Sequence, residues 1–115
     1  MIKAGGMWVS PAEVESALAE HEAVVEAGVV GALDQDQLAK PLAFVVLARG
    51  HAPTPALEQE LKSFVKERLA PYKYPRWIMF VPELPKTATG KIQRFKLREL
   101  AAQAREPGHR VGSVG

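Results

Sequence analysis

Leu42-Ala43-Phe44-Val45-Val46-Leu47 is apolar at every position. A strand wetted on one side alternates apolar and polar residues, because successive side chains point to opposite faces. An unbroken run therefore predicts a strand covered on both faces. Upstream, Val24-Val25-Glu26-Ala27-Gly28-Val29-Val30 reads as a second strand of the same kind, joined to the first by the polar Asp34-Gln35-Asp36-Gln37. Downstream, Trp77-Ile78-Met79-Phe80-Val81 reads as a third.

The flanking segments supply helices to cover such a sheet. Ser10-Pro11-Ala12-Glu13 opens one. Ser10 is its N-cap, Pro11 fits the first helical position, and Glu13 completes a capping box. Val14, Ala17 and Leu18 form its apolar face. Thr54-Pro55 opens a second helix by the same logic, with Leu57, Leu61, Phe64, Val65 and Leu69 on one side, and Pro71 and Pro75 end it. A third begins near Phe95 and carries Leu97, Leu100, Ala101 and Ala104. At the N-terminus, Ile2-Lys3-Ala4-Gly5-Gly6-Met7-Trp8-Val9 reads as a β-hairpin turning at Gly5-Gly6. The fold class is α+β: a short N-terminal hairpin plus a small three-stranded sheet packed with about three helices. Residues 1–105 form one domain, and 106–115 are expected to be a disordered tail.

Composition narrows the function classes. The 115 residues are 47% apolar and 24% charged, with a net charge of +2, as expected of an ordinary globular domain. Acids interleave with the bases through most of the chain, so no nucleic-acid footprint is read. There is no cysteine, which excludes disulfides, thiolate metal sites and cysteine nucleophiles. His21, His51 and His109 fall in no metal-ligand spacing. No run approaches a membrane span and no signal peptide opens the chain, so cytoplasm is the expected location.

The chemistry-bearing stretch is Pro85-Lys86-Thr87-Ala88-Thr89-Gly90-Lys91-Ile92-Gln93-Arg94. It presents Lys91 as a point charge on a long stem, suited to an anionic oxygen; a plain solvated loop explains the residues equally well. It is no P-loop. Pro85 stands where the first glycine belongs, and Ile92 where a hydroxyl would meet magnesium. Gly5-Gly6 beside Met7-Trp8 also has two readings. One is a tight turn before a core tryptophan. The other is close approach of bare backbone to a ligand. Tyr72-Lys73-Tyr74-Pro75-Arg76-Trp77 sets aromatics beside bases, as a purine-stacking surface or a proline-rich connection would. Glu13 and Glu15, two apart on a helix, do not face each other as a general-acid pair would.

Two motifs in order carry a resemblance. Lys3-x-Gly5-Gly6-x-Trp8-Val9-Ser10-Pro11-x-Glu13-Val14-Glu15 resembles the post-hinge motif, and Pro85-Lys86-Thr87-x-Thr89-Gly90-Lys91-Ile92-x-Arg94 the terminal lysine motif, of the adenylate-forming acyl- and aryl-CoA synthetases. The likeness covers roughly residues 1–102 and is to the C-terminal domain of that superfamily. Trp8-Val9-Ser10-Pro11 and Ala70-Pro71-Tyr72-Lys73-Tyr74-Pro75-Arg76 look most like its benzoate–CoA ligase branch.

The resemblance implies a two-step reaction with ATP and CoA as co-substrates. A carboxylic acid, aromatic by the branch likeness, is first adenylated and then passed to CoA. Lys91 is implied as the adenylation lysine. Gly5, Gly6, Met7 and Trp8 would line the pantetheine channel once the domain has rotated. Tyr72, Lys73, Lys86 and Arg94 are candidates for contacts to ATP or the CoA nucleotide. Acylation of the lysine matching Lys91 is known in the family and would remove its charge. The resemblance also implies an N-terminal adenylation domain as partner, expected to lie outside these residues. It would bind Mg2+ and the acid, so the chain alone is expected to be inactive, as a fragment cut at the hinge or a separately encoded half. A non-catalytic module that binds a protein or CoA is the alternative.

Overall fold

The computed structural model describes residues 2–4, 7–70 and 73–104. Strands β1 (Ile2–Ala4) and β2 (Met7–Val9) pair antiparallel, with Ala4 opposite Met7. The expected turn residues Gly5 and Gly6 lie outside the described residues, as does the expected tail over 106–115. Helix α1 (Pro11–Ala19) follows, capped by Ser10, whose side chain accepts from the Glu13 N–H.

Strands β3 (Val24–Leu33), β4 (Ala39–Leu47) and β5 (Trp77–Phe80) form the three-stranded sheet in that order. The first pair is antiparallel and the second parallel. A parallel pair needs a crossover, and α2 (Pro55–Arg68) supplies it. Thr54 caps α2 by accepting from the Leu57 N–H. Helix α3 (Arg94–Ala104) closes the described chain.

The unbroken apolar run is buried on both sides, as its composition requires. Ala43 and Val45 join Val14, Leu18, Leu61, Val65 and Ile78 in a core under α1 and α2. Leu42 and Phe44 point the other way, into a second core with Met79, Leu84, Leu97 and Ala101 under α3. The two helix-bearing faces matter below, because each roots one of the two motifs.

The strands run further than the sequence reading placed them. Pairing continues through Gly31↔Pro41 and Ala32↔Lys40 to Leu33↔Ala39. The polar connection is thus a tight hairpin turn. Asp34 Oδ1 accepts from the N–H groups of Asp36 and Leu38 at 2.8 and 3.0 Å, and Gln37 takes φ 63°. Pro41 is tolerated inside β4 because β5 begins one position on, opposite Leu42. Its missing N–H costs no ladder bond, while its carbonyl accepts from Arg76 N at 2.8 Å.

Candidate functional site

The lysine stretch is a braced hairpin. Lys86 bridges Ile92 in antiparallel fashion, and the Thr87 N–H donates to the Lys91 carbonyl at 2.8 Å. The Gly90 N–H donates back to the Thr87 carbonyl at 2.9 Å, and Gly90 sits at φ +88°. A turn followed by a left-handed residue gives a three-residue hairpin loop, and glycine is the residue that takes that conformation without strain. The threonines finish the frame. Thr87 Oγ1 accepts from the Lys91 N–H at 3.1 Å and lies 3.0 Å from Thr89 Oγ1. Ile92 packs against the core under α3, and the Gln93 N–H donates to the Pro85 carbonyl. Lys91 is left exposed, with no side-chain hydrogen bond or ion pair among the described residues.

Other candidate cations are engaged. Lys73 Nζ lies 2.7 Å from Glu13 Oε1. Lys86 Nζ lies 2.6 Å from Glu26 Oε1. Arg94 Nη2 lies 2.6 Å from both oxygens of Glu15. Each is partly exposed, so each ion pair can coexist with a ligand, but none is an uncommitted charge in the way Lys91 is. Tyr72 lies outside the described residues.

Trp8 corrects one of the two hairpin readings. It is 58% exposed and is no part of the core; Ile2 and Val9, which face each other across β1 and β2, are the buried anchors. The hairpin therefore displays Trp8 on the surface while its flanks are fixed.

Glu13 and Glu15 point to different partners, as their spacing requires. The Glu13 N–H donates to Ser10 Oγ at the helix cap, while its carboxylate holds Lys73 rather than closing the expected capping box. Glu15 closes the post-hinge motif, but the sequence assigns it no partner. Its partners lie 14 and 79 residues away, so no local signal could have found them.

The model for the AMP-binding enzyme C-terminal domain matches residues 13–91, from Glu13 to Lys91 itself. The chain belongs to this family. The benzoate–CoA ligase of Thauera aromatica is 65% identical over 98 residues, covering 85% of this chain and 19% of that protein. A solved Brucella canis acyl-CoA synthetase is 48% identical, with a TM-score of 0.86 over 91% of this chain and 19% of that one. An anthranilate–CoA ligase in complex with anthranoyl-AMP is 56% identical, with a TM-score of 0.84 over 90% of this chain and 20% of that one. The chain thus spans about a fifth of the length of these relatives. The resemblance carried by the two motifs and the α+β fold expected from the order of strands and helices are both borne out: this is an AMP-binding enzyme C-terminal domain, similar to those of CoA ligases. Among the described residues no group of histidines and carboxylates could hold a metal ion, and no helix is long and apolar enough to cross a membrane.

Proposed function

We propose that this domain is the mobile C-terminal part of an ATP-dependent, AMP-forming ligase joining a carboxylic acid, aromatic and of the benzoate type, to CoA. The acid's carboxylate attacks the α-phosphate of ATP and pyrophosphate leaves. The CoA thiol then attacks the acyl carbonyl and AMP leaves. The observation that carries this reading is Lys91, an exposed and uncommitted ammonium on a hairpin whose backbone is hydrogen-bonded on both sides.

Two anions must meet in the first step. A fixed cation between them offsets the gathering charge and holds the attack in line, and a braced loop does this without reorganising during the reaction. In the second step the domain turns, Lys91 withdraws, and the hairpin of Gly5, Gly6, Met7 and Trp8 meets the pantetheine arm. The exposure of Trp8 supports a contact surface there. The larger N-terminal part found in relatives is the partner and carries the acid pocket, the adenine site and the magnesium. ATP and CoA are co-substrates of the assembled enzyme.

The test separates the half-reactions in the full-length enzyme. Lys91→Ala should cost adenylation roughly 3–4 kcal/mol of transition-state stabilisation, the scale of a lost preorganised charge. Thioester formation from preformed acyl-adenylate should be largely spared. Equal loss in both steps would sink the assignment of Lys91 to the first.

A further inference from the structure

We infer that Glu15 is a positioning residue that holds the Lys91 hairpin in register with the hairpin at the other end of the domain, a role that rests on the reading of Lys91 above. The two motifs are rooted on opposite faces of the sheet. Helix α1, which follows the β1–β2 hairpin, buries Val14, Ala17 and Leu18 in one core. Helix α3, which follows the lysine hairpin, buries Leu97 and Ala101 in the other. The Glu15 carboxylate links the two helices around the edge of the sheet.

Its contacts form a three-way junction. Glu15 sits on α1 with its side chain 14% exposed. One oxygen accepts from the Val29 N–H at 2.8 Å, on the edge of β3 that does not pair with β4. Both oxygens take Arg94 Nη2 at 2.6 Å. Arg94 is the first residue of α3, three positions after Lys91, and the intervening Gln93 is itself bonded to Pro85 at the base of the hairpin. Arg94 Nε is buried with no hydrogen-bond partner among the described residues. The guanidinium is therefore partly desolvated, and Glu15 is its charge partner. A charge-assisted bond of this kind is short and directional, which suits it to fixing a position. The chemistry explains why position matters: a displacement of about 1 Å at a reacting group can cost about 100-fold in rate.

This reassigns Arg94 from a candidate ligand contact to the internal partner of Glu15. It also predicts an asymmetry. The β1–β2 hairpin is anchored by Ile2 and Val9 in the core under α1, to which Arg94 does not contribute. Loosening the junction should therefore disturb the lysine and spare the other hairpin.

The experiment uses the full-length ligase. Glu15→Gln should keep the fold, judged by its melting curve, and lower kcat for adenylation about 10- to 100-fold, with the KM values for ATP and acid little changed. Thioester formation from preformed adenylate should stay near the parent rate. Arg94→Gln should behave in the same way, and the double variant should be no slower than the slower single one, because the pair acts as a unit. Arg94→Lys keeps the charge and should restore part of the adenylation rate. A folded Glu15→Gln enzyme with unchanged adenylation, or with both steps slowed alike, overturns the role. Where Glu15→Gln fails to fold, Arg94→Lys decides by the same split: adenylation alone slowed supports the junction, and any other pattern overturns it. Lys91→Ala is run in parallel. If it slows both steps alike, the reading of Lys91 and the junction fall together; if it splits them and the Glu15 and Arg94 variants do not, only the junction falls.

Discussion

A Cβ placed on Gly28 would lie 2.6 Å from Leu97 Cδ1. Gly28 is in β3 opposite Phe44, and Leu97 is the fully buried anchor of α3. The missing side chain lets α3 settle close to the sheet, with Ile92 and Leu84 filling in at 3.6 Å. Leu97 Cδ1 is the far end of a side chain, but Leu97 is fully buried and has little room to turn aside. Gly28→Ala should destabilise the 115-residue chain by about 1–3 kcal/mol, the usual cost of overpacking a dense core. Urea unfolding would measure it, and a neutral result would mean that the Leu97 side chain or α3 gives way without cost.

Gly90 makes a different prediction, because it has room but no conformational alternative. No atom lies within 4 Å of a Cβ built there, yet φ is +88°. Gly90→Ala should cost about 1–2 kcal/mol through backbone strain alone, and Gly90→Asn less, since asparagine tolerates the left-handed region. In the full-length enzyme the alanine variant should slow adenylation more than thioester formation, because relaxing the turn redirects the next residue, Lys91. Full adenylation activity in Gly90→Ala would show that the turn geometry is dispensable.

Much of this was legible in the sequence, for reasons that differ by residue. The run Leu42–Leu47 announced burial on both faces because a two-sided strand has no place for a polar side chain. Ser10 and Thr54 announced helix starts because a cap is a local device. Lys91 stood out because turn residues on one side isolate it. The strand ends were not legible. Pro41 looks like a breaker, and only the position of β5 makes it harmless. Glu15 was not legible either, since its meaning depends on which strand is the sheet edge and on where α3 begins. Trp8 was ambiguous because exposure is decided by its alternation with Val9, which fills the core.

Asp34 gives a pH prediction. The Leu38 N–H, and to a smaller extent the Asp36 N–H, hold its carboxyl below the ordinary carboxylate range against the opposing effect of burial. A carboxyl with a depressed folded-state pKa binds its proton more readily when unfolded, so its stabilisation is present above the unfolded value of about 3.9 and is lost as pH falls through the lower folded value. Asp34→Asn retains an acceptor oxygen but no charge. It should be less stable than the parent near neutral pH, and the gap should close as pH drops below about 4. A gap that stays constant down to low pH would mean that the charge is not what the turn uses.

Lys91 is exposed to water in the isolated domain. A unit charge about 4 Å from an anion in bulk water is worth about 1 kcal/mol, whereas the same group in a closed, preorganised site supplies roughly 3–4. The difference comes from walls that exclude water, and the chain spans 19% of the length of the Thauera aromatica ligase. The isolated 115 residues, mixed with ATP, magnesium and benzoate or a related aromatic acid, should therefore give no acyl-adenylate above background in a hydroxylamine-trapping or pyrophosphate-release assay. Adding the complementary N-terminal part should restore adenylation in proportion to complex formation, and Lys91→Ala should abolish the restoration. Adenylate formed by the domain alone would require a nucleotide site within these residues and would overturn the division of labour proposed for the enzyme.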